Sequence, residues 1–289
     1  MSEEKQPRIY KFAIMVLPIG VIIGTAVFMW MYYQKHKEES NEQQVIVAAG
    51  IRLTDLQDMT SKFTDLIGPR GVDTQEGQVG LQRAAAMIEG RLGPQNMGFK
   101  VFRGEAEAVG ERLWKSLWVD VRGGDQEKQV LIVAVSFSGP GEIADANTVS
   151  TVMMLASSLA EDKPSRTIRL VFLPMKREFE EQNRWLVSQC LRNGETCAGI
   201  VGLHVMDGAP QAGGDEWLVS VSDDTDMAWW QFLSGVQETG SFSGGEVPTV
   251  WLTHAVYSNA AWEGKKEERI QATIPVAQQL RDRIWKAAN

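Results

Sequence analysis

The sequence is poor in the residues that build redox centres and structural zinc sites. Its 289 residues include two cysteines and three histidines. Cys190 and Cys197 do not have the CxxC spacing of a redox pair, and no cluster of further cysteine or histidine ligands accompanies them. The scarcity of both residue types therefore argues against a redox motif and against a cysteine-based zinc site.

Positive charge is also scarce. The chain has 29 lysines and arginines against 37 aspartates and glutamates, which gives a net charge of -8 and a pI near 5.1. A protein that binds nucleic acid needs a basic face to neutralise phosphates, so nucleic acid is not an expected partner. The glycine-rich pieces lack phosphate-loop spacing, and no Gly-x-Ser-x-Gly nucleophile elbow occurs.

Charge is missing altogether from one long run near the N-terminus. Residues 12–33 contain no charged side chain and are rich in Ile, Val, Met and Phe. At a rise of about 1.5 Å per residue, such a helix spans the roughly 30 Å hydrocarbon core of a bilayer. We therefore expect a short tail at residues 1–11, a transmembrane anchor at 12–33, a polar juxtamembrane linker at 34–44 and a globular domain at 45–289.

The charges that flank this run predict its orientation. Lys5, Arg8 and Lys11 precede it, and Lys35 and Lys37 follow it. This small excess favours a cytoplasmic N-terminus, which places the globular domain outside the cytoplasm. A cleaved signal peptide is the alternative, although its apolar region would be shorter and followed by a small-residue cleavage site.

The predicted compartment bears on the two cysteines. Cys190 and Cys197 bracket a six-residue segment that has the pattern of a helix-to-strand connection. In an exported domain a disulfide is expected to close this short loop. With the inverted topology, two free thiols become the favoured alternative.

The stretch from Gln129 to Glu181 has the pattern of a strand–helix–strand unit. The apolar runs 130–135 and 168–173 flank a segment whose helix starts near Ala144. Short β-branched runs separated by a helix are typical of a parallel sheet, which binds ligands at the carboxyl ends of its strands. Further helices are predicted at 53–67, 79–92, 180–191, 227–236 and 273–286, and further strands at 100–102, 113–121, 199–205, 217–221 and 248–253.

The order of these elements and their local sequences carry a family resemblance. The relevant stretches are Gly68-Pro69-Arg70, Ala84-Ala85, Val135-Ser136-Phe137-Ser138, Ala144-Asp145-Ala146-Asn147 and Pro248-Thr249-Val250-Trp251-Leu252. Together they resemble the zinc-dependent aminopeptidase and glutaminyl cyclase family, which includes non-catalytic nicalin-like members. The resemblance covers nearly everything after the linker. It implies an α/β fold, a three-layer sandwich with a mixed, largely parallel sheet.

The resemblance also implies where zinc ligands would lie, and this chain departs from the family at those positions. Family enzymes use histidines, aspartates and glutamates around one or two zinc ions, with a free carboxylate as general base. The equivalent positions here are Ser136 and Ser138 after the first strand, Ala146 for the bridging aspartate, Lys176 for the general base, Arg177 for a ligand glutamate, His204 near a later aspartate, and Ser258 for the last histidine.

These substitutions predict that no family-type metal site, no cofactor and no catalytic residue is present. Alanine cannot coordinate a metal, and two cationic side chains beside a dication would repel it. One alternative is a loop shift that brings Glu178 into the site. Another is a serine–histidine dyad formed by His204 with Ser136 or Ser258, for which no orienting acid is evident.

The resemblance to non-catalytic members implies binding or scaffolding of a protein partner, by a membrane-anchored, inactive relative of the zinc aminopeptidases. A first alternative is an active aminopeptidase-like or cyclase-like enzyme with an altered site. A second is a peptide or anion receptor that uses Lys176 and Arg177 in the cleft. Salt bridges from these two residues to the acidic run at 178–181 are the simpler expectation for the same side chains.

Overall fold

The computed structural model describes residues 23–32, 49–109, 112–160, 162–205, 217–223, 236–242, 247–258 and 265–289. The chain separates into two units, Met1–Val45 and Ile46–Asn289. In the first unit, residues 23–32 form a helix with exposed side chains. None of the helices in the described ranges is long and apolar enough to cross a membrane. Much of the predicted anchor, together with the tail and the linker, lies outside those ranges, so the anchor stays a prediction.

The second unit is built on one mixed sheet. Its strands are β1 (Phe102–Val109), β2 (Arg112–Val121), β3 (Gln126–Ser136), β4 (Arg166–Leu173), β5 (Thr196–Leu203), β6 (Trp217–Ser222), β7 (Val236–Phe242) and β8 (Thr249–Thr253). They are ordered β1-β2-β4-β3-β5-β8-β6-β7. The central neighbours β4, β3, β5 and β8 run parallel, whereas β1 with β2, β2 with β4, and β6 with β8 are antiparallel. The predicted mixed, largely parallel sheet is confirmed.

Helices cover both faces of the sheet and make three layers. They are α1 (Leu53–Ser61), α2 (Gln75–Leu92), α3 (Ile143–Leu159), α4 (Phe179–Cys190) and α5 (Lys266–Ala288). The larger apolar core lies beneath α1, α2, α3 and α5, and a smaller one lies beneath α4 on the opposite face. Strand β3 supplies both layers, with Leu131 and Val133 in the first and Ile132 and Ala134 in the second. This double burial explains its unbroken apolar sequence.

Helix boundaries follow the stop and start signals of the sequence. Helix α1 continues as a π-helical turn, Lys62–Ile67, and ends at Gly68, whose φ of 71° favours glycine. Thr74 is the N-cap of helix α2, and its side chain accepts a 3.0 Å hydrogen bond from the Gly77 amide. The predicted helix at 227–236 falls almost wholly outside the described residues, and Val236 itself begins β7.

The predicted disulfide is wrong, because the structure has no bond between the sulfur atoms of Cys190 and Cys197. Cys190 ends α4 with its side chain in the smaller core, and burial raises the pKa of the Cys197 thiol to about 11. The connection between them is held instead by Arg169, a fully buried residue of β4. Its guanidinium pairs with Asp120 at 2.7 Å and Glu195 at 2.7 Å and donates to the carbonyl of Cys190. A buried cation therefore ties this loop to the sheet where a covalent link was expected.

Candidate binding pocket

A pocket of about 190 Å³ opens at the carboxyl edge of the central parallel strands. The ends of β3, β4 and β5 meet there because these strands are parallel neighbours. The residues that follow each strand supply most of the lining. They are Ser136, Ser138, Gly139, Pro140, Asp145, Thr148, Lys176, Arg177, Phe179, Gln182, Leu203, His204, Val205 and Trp251.

The two serines of the pocket are linked to each other. The Ser136 and Ser138 hydroxyl oxygens are 2.7 Å apart, and the Ser138 amide donates to Ser136 Oγ at 3.3 Å. Ser136 Oγ also donates to the Leu173 carbonyl at the end of β4, at 3.4 Å. The loop after β3 therefore places two neutral hydroxyl groups on the wall of the pocket.

One carboxylate lines the pocket in the described part of the chain, and sequence reasoning missed its role. Asp145, in the first turn of α3, forms an ion pair with Arg70. Both side chains are almost fully buried. Gly139 makes this close approach possible, since a Cβ at that position would collide with the Asp145 carboxylate. The resemblance implies a site position at the neighbouring Ala146, and the sequence alone does not show that Asp145 faces the pocket.

Arg70 holds the pocket wall together from behind. Its Nε donates to the Phe137 carbonyl at 2.7 Å, and its Nη1 donates to the carbonyls of Gly68 at 2.9 Å and Phe63 at 3.1 Å. Its backbone amide and carbonyl both bond to Gly139, each at 2.7 Å. Desolvation raises the pKa of Asp145 to about 6, although the positive charge of Arg70 acts to lower it. The sequence analysis uses Gly68-Pro69-Arg70 for the family resemblance, and nothing in it predicts this ion pair.

The cationic residues lie at the start of α4. The Lys176 side chain is exposed, whereas that of Arg177 is 22% exposed. Arg177 Nη1 pairs with Glu181 at 2.5 Å, and its backbone amide donates to Gln182 Oε1 at 3.1 Å. The salt bridge expected between Arg177 and the acidic run is thus observed, while the guanidinium still borders the pocket.

Aromatic rings form the floor. Phe179 stacks on Trp251 with ring centroids 5.1 Å apart, and His204 meets Phe179 edge-on at 5.2 Å. The Trp251 indole N–H donates to Asn183 Oδ1 at 3.2 Å. Trp251 can lie across β5 because its neighbour there is Gly202, where any side chain would collide with the indole. The sequence places Trp251 in the predicted strand at 248–253 and gives no sign that it lies at the site.

Two of the positions implied by the resemblance lie elsewhere. Ala146 is fully buried in the larger core, and Ser258 is fully buried beside α5, where its carbonyl accepts from Arg269. Neither lines the pocket. Ser136, Arg177 and His204 do lie together there, with Lys176 beside them. A dyad of Ser258 with His204 therefore has no support from this geometry.

Solved structures with the same architecture identify the fold. A zinc aminopeptidase from Bacillus subtilis superposes with a TM-score of 0.57 at 9% identity, over 82% of this chain and 95% of its own. A glutaminyl cyclase from an Acidobacteriales bacterium gives a TM-score of 0.53 at 12% identity, over 83% and 94%. A leucine aminopeptidase precursor from Bacteroides thetaiotaomicron gives 0.52 at 12% identity, over 83% and 99%.

The chain has the zinc aminopeptidase and glutaminyl cyclase fold. The predicted resemblance is thereby confirmed at the level of fold. A scan against protein-family models and a search of curated proteins both find no match.

The described side chains at this edge of the aminopeptidase-like fold do not fit zinc. A zinc site takes three or four histidine, cysteine or carboxylate ligands. In the ranges that the structure describes, no group of three or more such residues lies close enough to hold a metal ion. Asp145 and His204 line the pocket, but Asp145 is paired with Arg70, and Lys176 and Arg177 add positive charge. Glu178 is an exposed residue that precedes α4 and does not line the pocket, so it does not supply the missing zinc ligand.

Proposed function

We propose that this protein is a non-catalytic relative of the zinc aminopeptidases that works by binding, with the pocket as its ligand site. The observation that carries the proposal is the composition of the pocket. Its serines, lysine and arginine replace the ligands on which zinc chemistry depends, and its single described carboxylate is neutralised by Arg70. Among the described lining residues, a water molecule would find neither the ligand set for a metal that lowers its pKa nor an unpaired carboxylate to accept its proton.

A turnover assay tests this proposal. Full-length protein, purified with added zinc, is incubated with aminoacyl-4-nitroanilides and with peptides that begin with glutamine. The proposal predicts rates equal to those of a His204→Ala variant and of buffer alone. Hydrolysis or cyclisation that depends on zinc and disappears in His204→Ala would establish the active-enzyme alternative.

We also propose that residues 12–33 anchor the protein in a membrane, with the globular unit outside the cytoplasm and available to a protein partner. The absence of charge in this run and the lysines on both sides of it support the proposal. Alkaline carbonate extraction of cell membranes should leave the protein in the pellet. A protein released into the supernatant, or one whose N-terminus has been cleaved away, would contradict the anchor.

A further inference from the structure

We infer that the pocket takes a small ligand with a carboxylate group attached to an apolar or aromatic body. This inference rests on the proposed binding function and specifies its ligand class. An enzyme that uses zinc at this edge needs anionic ligands around the metal. This chain instead presents Lys176 and Arg177, so the charge preference at the same edge is reversed.

The charge balance of the described lining is positive. The negative charge of Asp145, which lines the pocket, is compensated by the positive charge of Arg70. Glu181 offsets part of the Arg177 charge, but its own side chain is 56% exposed and does not line the pocket. Lys176 and Arg177 both line the pocket, so a ligand there meets an ammonium and a guanidinium group. A guanidinium and an ammonium are the donors that proteins use for carboxylates.

Neutral donors beside these cations favour the same ligand group. The Ser138 hydroxyl, which is hydrogen-bonded to Ser136 Oγ, can rotate to donate to an anion. Helix α4 also begins at the pocket, with Phe179 and Gln182 in the lining, and no side chain caps its N-terminus. The positive end of its dipole adds to the attraction that the side chains provide.

The remaining surface suits an apolar body. Phe179 and Trp251 form a stacked aromatic floor, and Leu203, Val205 and Pro140 extend it. A volume of about 190 Å³ lies below the roughly 300 Å³ at which pockets for drug-sized ligands begin. The pocket therefore accommodates about one amino-acid residue, which is either a free carboxylic acid or the last residue of a peptide with its terminal carboxylate.

Calorimetric titration of the full-length protein with matched probes tests this inference. The probes are N-acetylphenylalanine, its amide, which lacks the carboxylate, and phenylalanine amide, which carries a positive charge instead. We expect the acid to bind at least about tenfold more tightly than either amide, since hydrogen bonds to charged groups are the strong ones. A tetrapeptide that ends in phenylalanine distinguishes the two sources. Tighter binding of the peptide assigns a chain terminus, and tighter binding of the acid assigns a free metabolite.

Substitutions distinguish binding in the pocket from a general effect of the protein's charge. Lys176→Gln and Arg177→Gln should each weaken binding of the acid by about tenfold and leave the affinity for the two amides unchanged. Lys128→Gln is the matched control, because Lys128 is exposed near the start of β3, at the opposite edge of the sheet. Equal affinity for acid and amide, no binding of any probe to folded protein, or full affinity in both pocket variants would overturn the inference. If the protein also lacks zinc and turnover, any of these three outcomes would overturn the ligand class and leave the proposed non-catalytic function standing. Zinc-dependent turnover would instead overturn the proposed function itself.

Discussion

At the scale of single residues, Arg70 organises the pocket wall. It is fully buried and joins the turn before α2 to the loop after β3 and to the first turn of α3. Phe63 adds a cation–π contact, with the guanidinium carbon 5.2 Å from its ring centroid. One side chain thus satisfies several buried carbonyls and a buried carboxylate. Its position explains how a wall made of loops keeps a fixed shape.

Replacement of Arg70 by methionine should therefore be costly. The variant leaves Asp145 buried without its counter-charge and several carbonyls without a donor. We expect the free energy of unfolding to fall by about 3–5 kcal/mol, the usual effect of removing one partner of a buried ion pair. Urea unfolding followed by circular dichroism measures the change. Arg184→Met is the control, since Arg184 forms a 3.8 Å exposed pair with Glu180 and should unfold like wild type. An equal change in unfolding free energy in Arg70→Met and Arg184→Met would contradict the role assigned to Arg70.

Asp145 should give stability a specific pH dependence. Its pKa in the folded protein, about 6, lies above the ordinary value of 3.8, because burial disfavours the charged form. Folding therefore favours the protonated acid, so this group adds stability below pH 4 and loses that contribution as pH rises through 6. Relative to Asp145→Asn, wild type should gain about 2 kcal/mol of unfolding free energy between pH 7 and pH 4.5. Arg269 also interacts electrostatically with Asp145. Arg269 itself is present in both wild type and Asp145→Asn. A difference that stays constant with pH would show that the carboxyl group titrates normally.

Gly202 allows the aromatic floor to form. A methyl group at this position would collide with the indole of Trp251, which packs against Phe179. Gly202→Ala should push the indole out of place, shift its fluorescence emission to longer wavelength and cost about 1–3 kcal/mol through overpacking. Gly90→Ala is the control, because nothing lies within 4 Å of a Cβ there and alanine suits the interior of α2. Unchanged fluorescence and stability in Gly202→Ala would refute this account of the floor.

At the scale of secondary-structure elements, the central unit of the sheet was predictable and its edges were not. The apolar runs of β3 and β4 and the intervening helix α3 were evident because both faces of these strands are buried. Strand β7 was missed, since its polar sequence has no clear alternation. The π-helical end of α1 was also missed, because hydrophobic spacing does not distinguish one helix type from another over six residues.

The loops show the same limit. Cysteine spacing predicted a disulfide, but the chain uses Arg169 with Asp120 and Glu195. These three residues are far apart in sequence, and no local pattern marks them as partners. Arg70 and Asp145 are a second such case. Sequence patterns report local periodicity, whereas buried ion pairs between distant segments depend on the finished packing.

At the scale of the whole molecule, the fold was predictable from the order of elements. The residues after each strand predict that the zinc ligands of the family are missing, and this stays a prediction. Ser136, Lys176, Arg177 and His204 do border one pocket. The pocket's actual composition was not predictable, because the positions of Ala146 and Ser258 outside it, and of Asp145 inside it, depend on side-chain direction. The fold seen in zinc aminopeptidases and glutaminyl cyclases thus carries here a pocket whose described lining includes Lys176 and Arg177.

Zinc stoichiometry is the measurement that tests the central claim most directly. Full-length protein is equilibrated with excess zinc, freed of unbound metal by gel filtration, and analysed by inductively coupled plasma mass spectrometry beside Arg177→Ala and His204→Ala variants. The account predicts far less than one zinc per chain, with the same trace level in all three proteins. One or two zinc ions per chain in wild type, lost in either variant, would contradict it.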